Sequence, residues 1–184
     1  MCGRGCTKFF NIVLSLTGLG LSIYTFYVET KAKSDEEYSP LCDIDSYISC
    51  SKVFKTKFAK GFGMVGDLVG EEHPLNQPNC VYGIIFYLIF LLLSFINRRF
   101  IATFQVLLSL GACGVSLYLG YLLYFVIQAA CVVCIASYAV NLLLLLFSFC
   151  KRRALAPQPL KADKYGYYIP TTHMPTNNNF KKFI

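Results

Sequence analysis

The sequence predicts an all-α integral membrane protein in which four transmembrane helices carry one long polar loop. Three observations predict it. Apolar residues make up 55 % of the 184-residue chain and its mean hydropathy is +0.52, both high for a soluble domain. Four apolar runs, at 9–28, 81–96, 101–127 and 131–150, are separated by polar or basic segments. Nine of the ten acidic residues gather in 29–80 with six basic ones, leaving that loop three negative and the rest of the chain ten positive. By the positive-inside rule the acidic loop faces a lumen or the exterior, and the basic ends face the cytoplasm. The net charge of +7 raises the question of a nucleic-acid partner. The basic residues sit in short flanks of apolar runs, which is topology and not a binding patch, so no nucleic acid is expected.

Residues 1–8, with Arg4, Lys8, Cys2 and Cys6, are expected to be a cytoplasmic N-terminus. Phe9 to Val28 is uncharged for about 20 residues, enough to cross the membrane and longer than a cleaved signal's apolar core, so a retained anchor is expected. Loop 29–80 follows, expected to be lumenal and therefore in a compartment that permits disulfides. Its Cys42 and Cys50 are close enough in sequence to bridge, either as a staple or as an exchanging disulfide, and spacing does not separate the two. Ser51 to Phe58 reads as a short helix along the membrane surface, and glycine-broken 61–70 as a dip into the interface that tethers the loop as a lid. Pro74, Pro78 and the amides Asn76, Gln77 and Asn79 lead into the run 81–96, where Asn79 is a helix cap or a ligand contact. That run has only 16 residues, so the preceding segment must complete the span.

Asn97-Arg98-Arg99 is a basic turn on the cytoplasmic side. In 101–127, Gly111, Ala112, Gly114, Ser116 and Gly120 form a small-residue face expected to serve close helix packing. The fourth run, Cys131 to Cys150, ends at Lys151-Arg152-Arg153, which makes 151–184 a cytoplasmic tail, expected to be mobile. The tail ends Lys181-Lys182-Phe183-Ile184, which resembles a dilysine retrieval signal of the endoplasmic reticulum. Cys113 and Cys150 read as packing thiols.

Cys131-Val132-Val133-Cys134 carries the chemistry. Cysteines at i and i+3 share a helical face, and unpaired N–H groups at a helix N-terminus favour a thiolate, most of all at Cys131. The same face continues to Tyr138 and Asn141, with Tyr138 roughly 10 Å below Cys131, so the stripe lines a pocket with thiols near its rim. Core packing is the bland alternative. Zinc fits poorly, because the only histidines are His73 and His173 and no second CxxC exists, so no metal is expected.

The ordered set Leu41-Cys42, Cys50-Ser51, Gly61-Phe62-Gly63, Leu75-Asn76-Gln77-Pro78-Asn79, Gly83-Ile84-Ile85-Phe86-Tyr87 and Cys131-Val132-Val133-Cys134 with Tyr138 resembles the vitamin K epoxide reductase family. The resemblance spans about Thr7 to Arg153. It implies a four-transmembrane-helix bundle around a quinone pocket, closed by a lumenal cap loop in the endoplasmic reticulum membrane. It implies that Cys134 attacks the substrate, that Cys131 resolves the adduct, and that Cys42 and Cys50 pass electrons to Cys131. Asn79 and Tyr138 would hydrogen-bond the substrate oxygens, with Phe54, Tyr82 and Phe86 among the apolar walls. Vitamin K quinone and epoxide are the implied substrates, coumarins the implied inhibitors and a lumenal thioredoxin-like oxidoreductase the implied electron donor, with no bound cofactor. Cys80 departs from the family pattern, in which a serine is usual, and adds to the ways the cysteines can pair. Two other readings are a quinone-linked disulfide generator for lumenal proteins and a non-enzymatic four-span structural protein, for which the CxxC would have no purpose.

Overall fold

Among the described residues the four apolar runs become helix, and the first and last of these helices extend beyond the runs that predict them. A computed structural model describes residues 3–35, 40, 42–43, 49–54, 56–70, 73–156, 161–162 and 168–169. Cys2, Leu41, Lys55, the acidic residues Glu36, Glu37, Asp45, Glu71 and Glu72, and the terminal lysines 181 and 182 lie outside the described residues. Helix α1 runs Arg4–Ser34, and its last turns carry Glu29, so this residue stands on the helix and not at the start of the loop. The cap segment holds α2 (Cys50–Phe54), 3-10 turns at Lys57–Ala59 and Gly61–Gly63, and α3 (Val65–Val69). Then come α4 (Asn79–Ser94), α5 (Arg99–Tyr121) with a π turn at Leu122–Ile127, and α6 (Val132–Ala154). Two two-residue strands, β1 (Lys161–Ala162) and β2 (Tyr168–Ile169), pair antiparallel in the tail.

Three helices, α1, α5 and α6, are long and apolar enough to cross a membrane, and the 16-residue α4 packs beside them. Helix α1 lies against α4 and α6, and α5 against α6, whereas α4 and α5 meet only sparingly. Polarity is inverted relative to a soluble bundle. Phe100 is 80 % and Leu117 77 % exposed, while Thr7, Asn11, Ser15, Gln105 and Ser148 are buried. A multi-pass membrane protein requires this, because lipid solvates apolar side chains and polar groups must find partners inside. Ser15, Ser94 and Ser109 do so by bonding the carbonyl one helical turn back.

Close helix packing is found in α1 and α4, not on the expected face of α5. The ring of Tyr87 lies directly over Gly18, and Gly83 abuts the Ser22 hydroxyl. A Cβ at Gly111 or Gly114 would meet nothing within 4 Å, and Ala112 and Ser116 face a cavity, so at these positions the small residues of α5 make room, while Ser116 and Gly120 meet α6 through Asn141 and Tyr138. Lys151, expected to belong to a basic flank, turns inward. Its ammonium donates to the Gln105 side-chain oxygen at 2.9 Å and the Ser94 carbonyl at 3.3 Å. We expect Gly18→Val to overpack the α1–α4 seam and destabilise the protein by about 1–3 kcal/mol. Gly20→Val, in open space, should leave the thermal midpoint in detergent unchanged.

Candidate active site

Ser49 N–H donates to the Ala130 carbonyl at 3.0 Å, fastening the cap to the link between α5 and α6. Each partner immediately precedes a cysteine. Cys50 and Cys131 consequently face each other with their sulfurs 3.6 Å apart. Cys50 is disulfide-bonded to Cys42, with Cα atoms 5.8 Å apart, whereas Cys131 and Cys134 are free thiols. Local sequence builds this end of α2. The Asp43 carboxylate accepts the Ser51 N–H at 3.1 Å and the Ser51 hydroxyl at 2.5 Å, and the Ser49 hydroxyl accepts the Lys52 N–H at 3.2 Å. Val53 and Phe54 then pack with Val28, Leu123, Ala129, Cys131 and Val133. The segment expected to lie on the membrane surface thus turns its apolar side chains onto the thiols, because that cluster offers them more buried surface.

Helix α5 ends in its π turn, and Gln128 at φ 51° takes the left-handed conformation that releases the chain. After only two intervening residues Cys131 becomes the N-cap of α6. Its sulfur accepts the Cys134 N–H at 3.3 Å, so it occupies an oxyanion-like position at the positive end of the helix dipole. Such an environment stabilises a thiolate. Cys131 is fully buried, and Cys134, three residues on, faces a cavity of about 330 Å³.

The cavity lies between α1, α4, α5 and α6 under the cap, and its wall includes Phe54, Asn79, Tyr82, Phe86, Cys134 and Tyr138. Cys131, Cys42 and Cys50 stand behind that wall. The polar stripe of α6 extends as its spacing implies, since Cys134, Tyr138 and Asn141 all line the cavity. At the floor Tyr87 donates to the Asn141 oxygen at 2.8 Å, and Asn141 donates to the Ser116 hydroxyl at 2.9 Å. Tyr138 makes no hydrogen bond among the described residues. Asn79 is fully engaged by the cap: its oxygen accepts the Phe62 N–H at 2.8 Å, and its amide donates to the Phe58 carbonyl at 2.7 Å. The Tyr82 hydroxyl bonds the Leu75 carbonyl.

Phe62 sits at φ 57° between Gly61 and Gly63, both also at positive φ, a conformation costly for a residue with a Cβ. The Asn79 bond and a tilted stack on Tyr82, centroids 5.2 Å apart, hold it there. Sequence reasoning missed the face of α1, where Ser22, Thr25 and Glu29 complete the wall. The acid inside a membrane-length helix was the available signal. Asp43 lies with Cys42 and Cys50 within a metal-sized radius, but sulfurs joined as a disulfide are not thiolate ligands.

The model of the vitamin K epoxide reductase family matches residues 9–149. The chain belongs to this family. Vitamin K epoxide reductase complex subunit 1 of Mus musculus and that of Rattus norvegicus are each 41 % identical to it over 141 residues, covering 77 % of this chain and 88 % of the relative. The match to the vitamin K epoxide reductase family encloses both cysteine pairs and every residue lining the cavity, and stops before β1 and β2.

Asp43 gives the cap a pH limit. Burial raises its pKa, but hydrogen bonds from the Ser51 hydroxyl and N–H, the Cys50 N–H and the Ser49 hydroxyl together outweigh that and hold it below the ordinary 3.8. A depressed folded value means the stabilisation is present above 3.8 and lost as pH falls through the folded value. Protease resistance of the Cys42–Phe54 region should therefore be constant from neutrality to pH ~4 and fall below it. Asp43→Asn should be more sensitive throughout and lack this step.

Proposed function

We propose that this protein reduces vitamin K epoxide and vitamin K quinone at the Cys131–Cys134 pair, using electrons that reach it through Cys42 and Cys50. It works in the endoplasmic reticulum membrane, with cap and thiols on the lumenal side and both termini cytoplasmic. The observation that carries this reading is the 3.6 Å approach of the free Cys131 sulfur to the Cys50 sulfur of a disulfide. Thiol–disulfide exchange begins from such an adjacency of a thiol and a disulfide sulfur. The arrangement corresponds to the loaded state, with two thiols on the CxxC and the spent disulfide on the cap.

Cys134 faces the cavity, so it is the thiol that attacks an electrophilic carbon of the substrate. Cys131, directly behind, attacks the Cys134 sulfur and releases reduced product as the CxxC disulfide forms. Once a lumenal thioredoxin-like oxidoreductase has reduced Cys42 and Cys50, Cys50 attacks Cys131 and restores the dithiol. Each turnover moves two electrons, both supplied by cysteine thiols. Tyr138, with an uncommitted hydroxyl beside Cys134, donates to a substrate oxygen. Asn79 faces the same space and additionally holds the Phe58–Phe62 turn as a wall, while Phe54, Tyr82 and Phe86 contact the ring system. Planar coumarins fit the same donors and walls as inhibitors.

Membranes containing the protein should reduce vitamin K epoxide and the quinone when supplied with a dithiol or a lumenal protein donor, and Cys134→Ala should abolish both reactions. Cys134→Ala should also accumulate a Cys50–Cys131 disulfide, because the thiol that would release it is gone. Non-reducing proteolysis with mass spectrometry detects the link, and a Cys42–Cys50 bond that never exchanges would make that pair a staple. Tyr138→Phe should lower turnover or substrate affinity ~10- to 100-fold, the scale of one buried hydrogen bond, without changing the Cys131–Cys134 redox potential.

A further inference from the structure

Glu29 is the one charged side chain among the described residues lining the cavity, and it is only 3 % exposed. It lies on α1 within the membrane-spanning segment, where an ionisable group is costly and marks function more often than architecture. Its neighbour on α4 is Cys80, itself buried, whose thiol donates to Glu29 Oε2 at 3.5 Å. Val28, the preceding residue, packs in the cluster that holds Cys131 and against which Cys134 packs, so Glu29 stands at the end of α1 nearest the reacting thiols. The carboxylate and the attacking sulfur therefore line one chamber. The hydrogen bond also answers what the extra cysteine does: a thiol spent as a donor to a carboxylate is an orienting group and a poor nucleophile.

Epoxide reduction has a proton problem at this position. When the Cys134 sulfur bonds to carbon and the epoxide C–O bond breaks, the thiol must lose a proton and the oxygen must gain one. Cys131 is behind the wall and does not face that oxygen. We propose that Glu29, held in orientation by the Cys80 thiol, takes the proton of the attacking Cys134 thiol and delivers it to the departing substrate oxygen. In the second half, Cys131 attacks the Cys134 sulfur, the S–C bond breaks, and its electron pair expels the hydroxyl. The proton released by Cys131 reaches the hydroxyl through Glu29, so the oxygen leaves as water. The balance closes: two thiols become one disulfide, and epoxide becomes quinone plus water, with Glu29 unchanged. This shuttle rests on the epoxide reductase reading above.

Glu29→Gln keeps size and an acceptor for Cys80 but cannot carry the proton. With vitamin K epoxide and a dithiol, its kcat should fall ~100-fold, while KM and coumarin affinity stay within about twofold. Glu29→Ala should be similarly slow and should recover rate in proportion to added formate or acetate, which a purely structural carboxyl would not allow. Cys80→Ser, which retains a donor, should keep a larger share of turnover than Cys80→Ala. Should wild-type protein fail to reduce the epoxide, the parent reading fails. Should wild type be active while Glu29→Gln matches its kcat, or while Glu29→Ala is slow without rescue by either acid, the shuttle alone is overturned.

Discussion

The hydrogen bond from Ser49 N–H to the Ala130 carbonyl, 3.0 Å long, sets the register that brings the Cys50 and Cys131 sulfurs together. By itself such a bond contributes about 1 kcal/mol net, so its importance is positional. The residues that follow its two ends are Cys50 and Cys131, and a slip of one residue on either side would turn one sulfur away. Two independent features protect the register. Asp43 and Ser51 fix the turn into α2 from one side, while the π turn and left-handed Gln128 fix the start of α6 from the other. Val53 and Phe54 then seal the sulfurs under apolar side chains. The approach of the two sulfurs is thereby dry and enclosed.

The cavity beneath is a consequence of building a bundle in lipid. With no hydrophobic drive between helices, close contact is reached where glycine permits it, at Gly18 and Gly83 on the α1–α4 seam. Ala112 and Ser116 on α5 are small where a chamber is left open. At the chamber wall polar groups are either tied to one another, as in Tyr87–Asn141–Ser116, or left facing the space, as is Tyr138. That difference divides side chains committed to the framework from those that face the chamber uncommitted. Asn79 falls between the two, because its amide clamps the Phe58–Phe62 turn while the residue lines the cavity.

Much of this was legible in sequence, and the losses have physical causes. Helical period placed Cys134, Tyr138 and Asn141 on one wall, since a fixed 3.6-residue repeat needs no tertiary knowledge. Membrane helices were legible from apolar runs, but not their ends: charged residues such as Glu29 and Lys151 continue a helix when the bundle supplies partners. Glu29 read as loop for that reason. The burial of α2 against the thiols was hidden because Val53 and Phe54 suit a lipid interface or a protein core equally well. Likewise, a row of small residues on α5 has no sequence mark that distinguishes contact from vacancy. The pairing of Cys80 with Glu29 joins residues 51 positions apart, beyond any local pattern.

The two ends of the bundle solve opposite problems with the same helices. At the end away from the cap, Lys151, Gln105 and Ser94 form a clamp: Lys151 donates to the Gln105 oxygen and the Ser94 carbonyl, and the Gln105 amide donates to the Ser94 hydroxyl at 3.0 Å. This joins α4, α5 and α6, and it matters because α4 and α5 otherwise touch little. Burying an ammonium costs several kcal/mol unless hydrogen bonds replace its hydration, and a side-chain amide plus a backbone carbonyl do so without requiring a buried acid. The clamp closes the ring of helices at one end. Toward the cap the same pair of helices is free to stand apart around the chamber, so the polar cross-link at one end is what lets an apolar cavity persist at the other without the bundle collapsing into it.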